Sequence, residues 1–352
     1  MTIQNRTSHF IKLGNFLRQF NRNEIIRNDD VPFNDRFFDA LTEQIDRAIH
    51  YNGWFTPENV LFSLEQWSNA LTEENLTKWL TPYSFRGDTP KTVGVVMAGN
   101  IPLVGFHDFL SVLISGNKVL IKQSSNDQKI LPILANYLIA LEPEYKNRIM
   151  FTEGRLENFD AVIATGSNNT ARYFEYYFSK SPSIIRKNRN SVAILTGQET
   201  TKELEALGED IFRYFGLGCR NVSKLYVPEG YDFDAFYKAM QPWEHLLLHA
   251  KYANNYDYNK AVYLMSEFKI LDNGFLTLKE DSSFGSPIAT LFYQTYNNAE
   301  SLSKELEENS ENLQCVISNN SHVHGLSFGS SQHPQLWDYA DNVDTLAFLE
   351  RI

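Results

Sequence analysis

The sequence predicts an α/β protein with a doubly wound parallel sheet and a second α/β region. Three observations predict it: short β-branched runs alternate with helix-length amphipathic stretches, Gly or Asn turns punctuate each change, and no repeat or low-complexity tract interrupts the pattern. The chain has 352 residues, enough for about two domains, each with its own core.

Residues 1–88 read as helical, with Phe10, Leu13, Phe16, Leu17 and Phe20 at helical spacing and Trp54, Leu61, Trp67, Leu71 and Trp79 farther on. They are expected to form an outer helical segment on the domain that follows. Pro82, Gly87 and Pro90 mark the break. Lys91–Lys122 reads as one βαβ unit: a strand at Val93–Met97, a turn at Gly99-Asn100-Ile101-Pro102, a helix through Phe106, Phe109, Leu113 and Ile114, and a strand at Val119–Ile121. A right-handed crossover of this kind requires a parallel sheet. A helix at 127–141 and strands at 149–151 and 160–164 follow. Thr165-Gly166-Ser167 then opens a helix over 168–178, and a strand at 183–185 comes after it. These elements set an expected Rossmann-like, doubly wound α/β domain at 89–190.

A second α/β domain is expected at 191–320. It starts with a strand at Ser191–Leu195, then a helix opened by Thr200 and Glu203 at capping-box spacing and carrying Leu204, Leu207, Ile211, Phe212 and Phe215. Gly216-Leu217-Gly218-Cys219 ends that helix before a strand at 224–227 and a helix at 233–240. Residues 321–352 are expected to return to the 89–190 domain or to an oligomer interface, with Ser318–Ser321 an exposed loop.

The charge balance, 32 Lys+Arg against 43 Asp+Glu, gives a net of -11, so an extended nucleic-acid surface is not expected. Cys219 and Cys315 are too few for a disulfide framework. The first twenty residues are broken by Arg6, Lys12 and Arg18, and no run reaches the roughly 18 apolar residues of a membrane span, so a cytoplasmic protein is expected.

Local context leaves two readings of Cys219. Flanking glycines let backbone close on a substrate around an attacking thiol, whereas unpaired Cys is also among the most buried residue types. Cys315, within Leu313–Ile317, reads as strand core. Asn100 sits where ligands meet the carboxyl ends of strands, and reads either as an amide donor to an oxyanion or as turn chemistry. Lys122 with Ser124 offers a cation and a hydroxyl beside the same strand ends. Thr165-Gly166-Ser167 is suited to an anion at a helix start. Arg186, Lys187 and Arg189 form a cationic run, either for a polyanionic cofactor or simply solvated. His322 and His324 alone are too little for a metal site, and no metal is expected.

In order and spacing these segments resemble the aldehyde dehydrogenase superfamily, and more narrowly the LuxC-type acyl-CoA reductases, over about residues 91–352. Val95–Pro102 is similar to the superfamily's strand and Asn-containing turn, Lys118–Ser125 to its Lys-x-Ser ribose segment, Ala164–Ser167 to its Thr-Gly-Ser pyrophosphate turn, and Gly216–Cys219 with Lys224–Pro228 to its nucleophile loop and following strand. Ser191–Leu195, Ser286–Leu291 and Leu336–Thr345 resemble the narrower subfamily. The resemblance implies an aldehyde-dehydrogenase-like fold, with 89–190 the cofactor-binding domain and 191–320 the catalytic domain, Cys219 as nucleophile and Asn100 at the oxyanion. It implies a cofactor held by Lys122, Ser124, Thr165, Gly166 and Ser167, with Arg186 and Arg189 as supporting cations.

Two departures stand out. Dehydrogenases that hydrolyse their acyl-enzyme carry a Glu-Leu-Gly-Gly segment where this chain reads Arg186-Lys187-Asn188-Arg189-Asn190-Ser191, and the Glu before Phe-Gly-Pro has no match near Ser282–Gly285. The first departure favours acyl reduction over aldehyde oxidation. The expected activity is therefore NADPH-dependent reduction of a fatty acyl-CoA or acyl-protein thioester to aldehyde, NADPH being favoured because Lys122 and Ser124 suit a 2′-phosphate. The alternatives are an acyl-phosphate or acyl-carrier reductase and a silent scaffold for an acyl-transfer partner. Family habit implies a homo-dimer or tetramer.

Overall fold

The computed structural model describes residues 1–85, 89–319 and 323–352, so Gly87 and His322 lie outside the described residues, as do positions 320 and 321 of the expected exposed loop. The chain divides into two compact units, residues 1–187 with 335–352, and residues 188–334.

The first unit opens with α1 (Ile3–Leu17), α2 (Asn34–Tyr51), α3 (Pro57–Ala70) and α4 (Glu73–Leu80). Thr2, Thr56 and Thr72 cap α1, α3 and α4, each accepting from the backbone N–H of an Asn three residues on, which satisfies a donor that the first turn cannot pair internally. These helices are more than the expected outer segment. Phe10, Leu13, Phe16 and Leu17 are fully buried, and Phe16 stacks on Tyr137 at 4.4 Å, so they supply much of the core.

The sheet of this unit is built from β1 (Thr92–Val96), β2 (Lys118–Lys122), β3 (Ile149–Phe151), β4 (Ala161–Thr165) and β5 (Ser183–Arg186). Three helices connect them: α5 (Phe106–Ile114), α6 (Ile130–Leu141, three residues shorter at its start than predicted) and α7 (Asn168–Tyr177). All pairings are parallel and the strand order is β3-β2-β1-β4-β5, a doubly wound arrangement whose direction of winding reverses between β1 and β4. Both faces are covered, so β1 and β4 read as almost continuous apolar runs.

The second unit holds β6 (Asn190–Ile194), α8 (Thr201–Phe212), β7 (Val222–Pro228), α9 (Asp234–Met240), α10 (Ala250–Met265), β8 (Ile270–Asp272), β9 (Thr277–Glu280), β10 (Thr290–Tyr296), α11 (Ala299–Glu308) and β11 (Leu313–Ile317). The capping box predicted at Thr200 and Glu203 is present. The six strands run in the order β11-β6-β7-β10-β9-β8, parallel except for the β8–β9 pair. No element is expected from the sequence between 241 and 280, where α10, β8 and β9 lie.

Residues 335–352 close onto the first unit and end in α12 (Thr345–Arg351). Tyr339 Oη accepts from Trp79 Nε1 at 2.8 Å, Tyr83 Oη donates to Asp344 at 2.8 Å, and Leu346 and Leu349 are buried. Residues 323–334 belong to the second unit, where Asp210 accepts from the backbone N–H groups of Gly329 and Ser331.

Candidate active site

In the first unit, β2, β1 and β4 are adjacent, and the register sets Val96 beside both Lys122 and Ala164. The turn after β1 bearing Asn100, the Lys122–Ser124 end of β2 and the Thr165–Ser167 end of β4 therefore share the carboxyl edge of the sheet. They flank the switch between β1 and β4, where open α/β sheets bind their ligands.

The Asn100 turn is fastened from below. Leu103 has a left-handed backbone (φ 57°) and its N–H donates to Asp127 Oδ2 at 2.9 Å. Ser63 Oγ donates to Pro102 O at 3.0 Å, and Asn52 donates to Gly99 O at 3.4 Å. Burial pushes the Asp127 carboxyl up to about 6, with the Leu103 N–H opposing the shift. Gly99 is required by close approach, since a Cβ there would lie 2.7 Å from Ser124. Asn100 itself is exposed at the crest of this braced turn.

Lys122 Nζ donates to Gly154 O at 2.9 Å, and Ser124 Oγ accepts from Asn126 N at 3.3 Å. After β4, Gly166 N donates to Arg186 O, and the exposed Ser167 caps α7 through the Thr170 N–H. A Cβ on Gly166 would lie 3.0 Å from Thr170 and from Phe174, so the turn closes tightly on the helix it starts.

The second unit carries the cysteine loop. At the end of α8, Tyr214 (φ 56°), Phe215 (φ 59°) and Gly216 (φ 76°) adopt left-handed conformations in succession. Two bulky L-residues in that region store strain, which persists only where surrounding contacts dictate it and which clusters at functional sites. The dictating contacts are visible. Tyr214 and Phe215 are buried, Arg213 pairs with Glu209 at 2.6 Å, and Asn221 bonds the backbone on both flanks of the segment. Cys219 is exposed at the end of this loop, which excludes the reading as a buried structural residue. Cys315 is buried in β11, as the strand-core reading expected. Arg220, adjacent in sequence, donates to Ser331 O at 2.7 Å.

The cationic run does not form the patch expected of it. Arg186 is buried, with its guanidinium on Asp108 at 2.5 Å and on Thr345 Oγ1 at 3.0 Å, so it braces the first unit and is not turned toward a ligand. Lys187 pairs with Glu175 at 2.7 Å. Arg189, in the second unit, donates to the backbone carbonyls of Ser310 and Leu313. The assignment of Arg186 and Arg189 as supporting cations is thus corrected: both guanidiniums are held by protein acceptors many residues away in sequence.

Sequence reasoning missed the supports of the loop. Ser191 and Asn221 are almost fully buried and both bond the loop backbone. Lys224 is wholly buried on β7. Its Nζ donates to Ser282 O and Gln294 Oε1, it lies over the Tyr226 and Phe284 rings, and burial drives its pKa down. With Ser223 Oγ donating to Phe284 O at 2.7 Å, it fixes the segment that lacks the expected Glu. Lys224 sits mid-strand among apolar residues, and that placement was the available signal. No group of three or more potential metal ligands occurs among the described residues.

Comparison with solved structures defines the class first. Aldehyde dehydrogenase 21 from Physcomitrella patens, solved with succinate, is 14% identical and superposes with a TM-score of 0.64 over 100% of this chain and 84% of that one. The indole-3-acetaldehyde dehydrogenase of P. syringae, solved with NAD+ and IAA, is 14% identical with a TM-score of 0.61 over 92% and 74% of the two chains. An aldehyde dehydrogenase from Bacillus cereus, solved as its NAD+ complex, gives 14% and 0.60 over 91% and 73%. The fold is that of the aldehyde dehydrogenases.

The family is narrower. A family model described as acyl-CoA reductase (LuxC) matches residues 50–242, more than half of the chain. The chain belongs to the LuxC acyl-CoA reductase family, oxidoreductases acting on aldehyde or acyl groups. A search of the curated proteins found no match.

Proposed function

We propose that the protein reduces a fatty acyl-CoA thioester to the aldehyde, with NADPH as reductant and Cys219 as the acyl carrier. The observation that carries this reading is the exposed thiol at the end of a buried, strained and fully braced loop in a LuxC-family chain.

The carboxyl edge of the first sheet has the features a dinucleotide needs. The turn at Gly166 leads into a helix start suited to an anion, Lys122 supplies a cation, and Gly99 lets the turn after β1 pack closely on Ser124. Lys122, Ser124, Thr165, Gly166 and Ser167 would hold the cofactor, and Lys122 with Ser124 suits a 2′-phosphate. When bound, the cofactor supplies a hydride to the acyl carbon.

The chain's own groups carry the remaining chemistry. The Cys219 thiolate attacks the thioester carbonyl, a new S–C bond forms, the bond to CoA breaks and CoA leaves as its thiolate. The oxyanion is assigned to the Asn100 amide and the Cys219 backbone N–H, donors of the kind worth on the order of 3 kcal/mol each. After reduction the thiohemiacetal oxyanion collapses, the C–S bond breaks, and aldehyde and the Cys219 thiolate are released. The balance is acyl-CoA, NADPH and one proton consumed, with aldehyde, NADP+ and CoA formed. The missing Glu-Leu-Gly-Gly carboxylate supports reduction, because no equivalent base occupies 186–191 to activate water against the thioester.

Mixing the protein with hexadecanoyl-CoA without reductant tests the reading. An acyl mass increment on the peptide containing Cys219, discharged as aldehyde when NADPH is added, is expected. Absence of the increment, or undiminished aldehyde formation by Cys219→Ser, would overturn it.

A further inference from the structure

We propose that Ser191 and Asn221 are positioning residues for acyl transfer. They set the peptide planes on either side of Cys219, so that its backbone N–H is turned to the reacting carbonyl. The proposal deepens the reading of Cys219 as nucleophile and rests on it.

The argument starts with Gly218. Its N–H donates to Asn221 Oδ1 at 2.8 Å, and its carbonyl accepts from the Asn221 backbone N–H at 3.0 Å. No described peptide bond is cis, so the Gly218 carbonyl and the Cys219 N–H point in opposite directions within one plane. Pinning the carbonyl onto Asn221 therefore aims the Cys219 N–H the other way. The next plane is pinned separately: Ser191 Oγ donates to the Cys219 carbonyl at 2.9 Å. That hydroxyl also accepts from Cys315 N at 3.1 Å, which orients its proton toward Cys219.

Asn221 extends the brace. Its amide nitrogen donates to Asp210 O at 3.1 Å and Arg213 O at 2.8 Å, tying the carboxyl end of α8 and the start of the left-handed segment to the residue that holds Gly218. Ser191 is 0% and Asn221 2% exposed, so neither side chain is open to a substrate and both act through Cys219. The division of labour is specific. The thiol's own reactivity needs none of these bonds, whereas a backbone donor aimed at a developing oxyanion depends on all of them.

The test compares two reactions of the same thiol in the full chain. Acylation by hexadecanoyl-CoA uses the oxyanion donor, while alkylation by iodoacetamide does not. Ser191→Ala and Asn221→Ala are expected to slow acylation about 100-fold, the low end for loss of an oxyanion donor. Alkylation rates across pH should stay within about threefold of the parent and the KM for acyl-CoA should be unchanged, with Ser191→Thr recovering most of the acylation rate because it keeps the hydroxyl. Ser191→Cys keeps the volume with a weak donor and carries the test alone if the alanine variants do not fold: acylation at least about tenfold slower is expected. Parent-like acylation in the folded alanine variants or in Ser191→Cys overturns the proposal, and so does alkylation falling in step with acylation. Acylation and aldehyde formation surviving in Cys219→Ala would instead overturn the nucleophile reading, a result separate from anything seen at 191 or 221.

Discussion

The stretch Arg186–Arg189 and the loop Arg213–Asn221 each contain two arginines, and all four are bound to protein acceptors. The outcomes differ. At 186–189, where the chain passes from the first unit to the second, the bonds use up the cationic groups and nothing there is prepared for a ligand. At 213–221 the same kind of bonding holds three successive left-handed residues and leaves one thiol exposed. Charge density in a sequence is therefore a poor guide to a site. A better guide is a reactive group whose backbone is costly to hold and is nevertheless held.

The largest expected effect breaks the comparison on its structural side. Arg186→Met should destabilise the protein by about 3–5 kcal/mol, because the Asp108 carboxylate is left buried without its partner. Asp108→Leu combined with Arg186→Met should recover much of that loss. The KM for NADPH, measured on folded protein, should not move in either. A cofactor-specific rise in KM for the single variant would restore Arg186 as a ligand.

The Asn100 turn offers a second probe, since its brace includes a carboxylate that resists ionisation. A folded-state pKa raised from 3.8 to about 6 means that the native protein binds the Asp127 proton more tightly than the unfolded chain does. Stability from this group is then present below pH 4, is lost as pH rises to 6, and stays lost above it. Asp127→Asn, which keeps an acceptor for the Leu103 N–H, should raise stability at pH 7.5 by up to about 3 kcal/mol and by nothing near pH 4. Denaturant titrations at both pH values decide this, and a gain that is equal at the two refutes it.

On the ligand side, Lys122→Ala should weaken NADPH by about 10-fold or more while leaving NADH nearly unaffected, as expected for one charge-assisted contact to a 2′-phosphate. Equal losses for the two cofactors would refute that role. The smallest effect sharpens the account of loop strain. Gly216→Ala places a Cβ at φ 76° and should cost about 1 kcal/mol in thermal or denaturant unfolding, with little change in the expression of folded protein.

Much of the fold was legible because its signals are local. The run of β1, the capping box of α8 and the turns after β1 and β4 are written within a few residues of one another, and the structure has each of them. The gap at 241–280 has the same explanation, since α10 is apolar and polar on several sides and carries no clean stripe. Lys224 is only half legible: its place among the apolar residues of β7 hints at burial, but nothing near it in sequence names the groups that satisfy its charge. Its acceptors are at positions 282 and 294.

The sequence by itself determined the alternation of strands and helices, hence the parallel sheets, and identified Cys219 and Asn100 as worth attention. Those depend on side-chain period, caps and turn residues, which act over about four positions along the chain. Only tertiary structure decided that Arg186 is spent on Asp108, that Cys219 is exposed while Cys315 is not, and that Ser191, 28 residues away, grips the Cys219 carbonyl. Availability for chemistry depends on which distant groups satisfy a donor or exclude water, and the chain acquires those partners only when it folds.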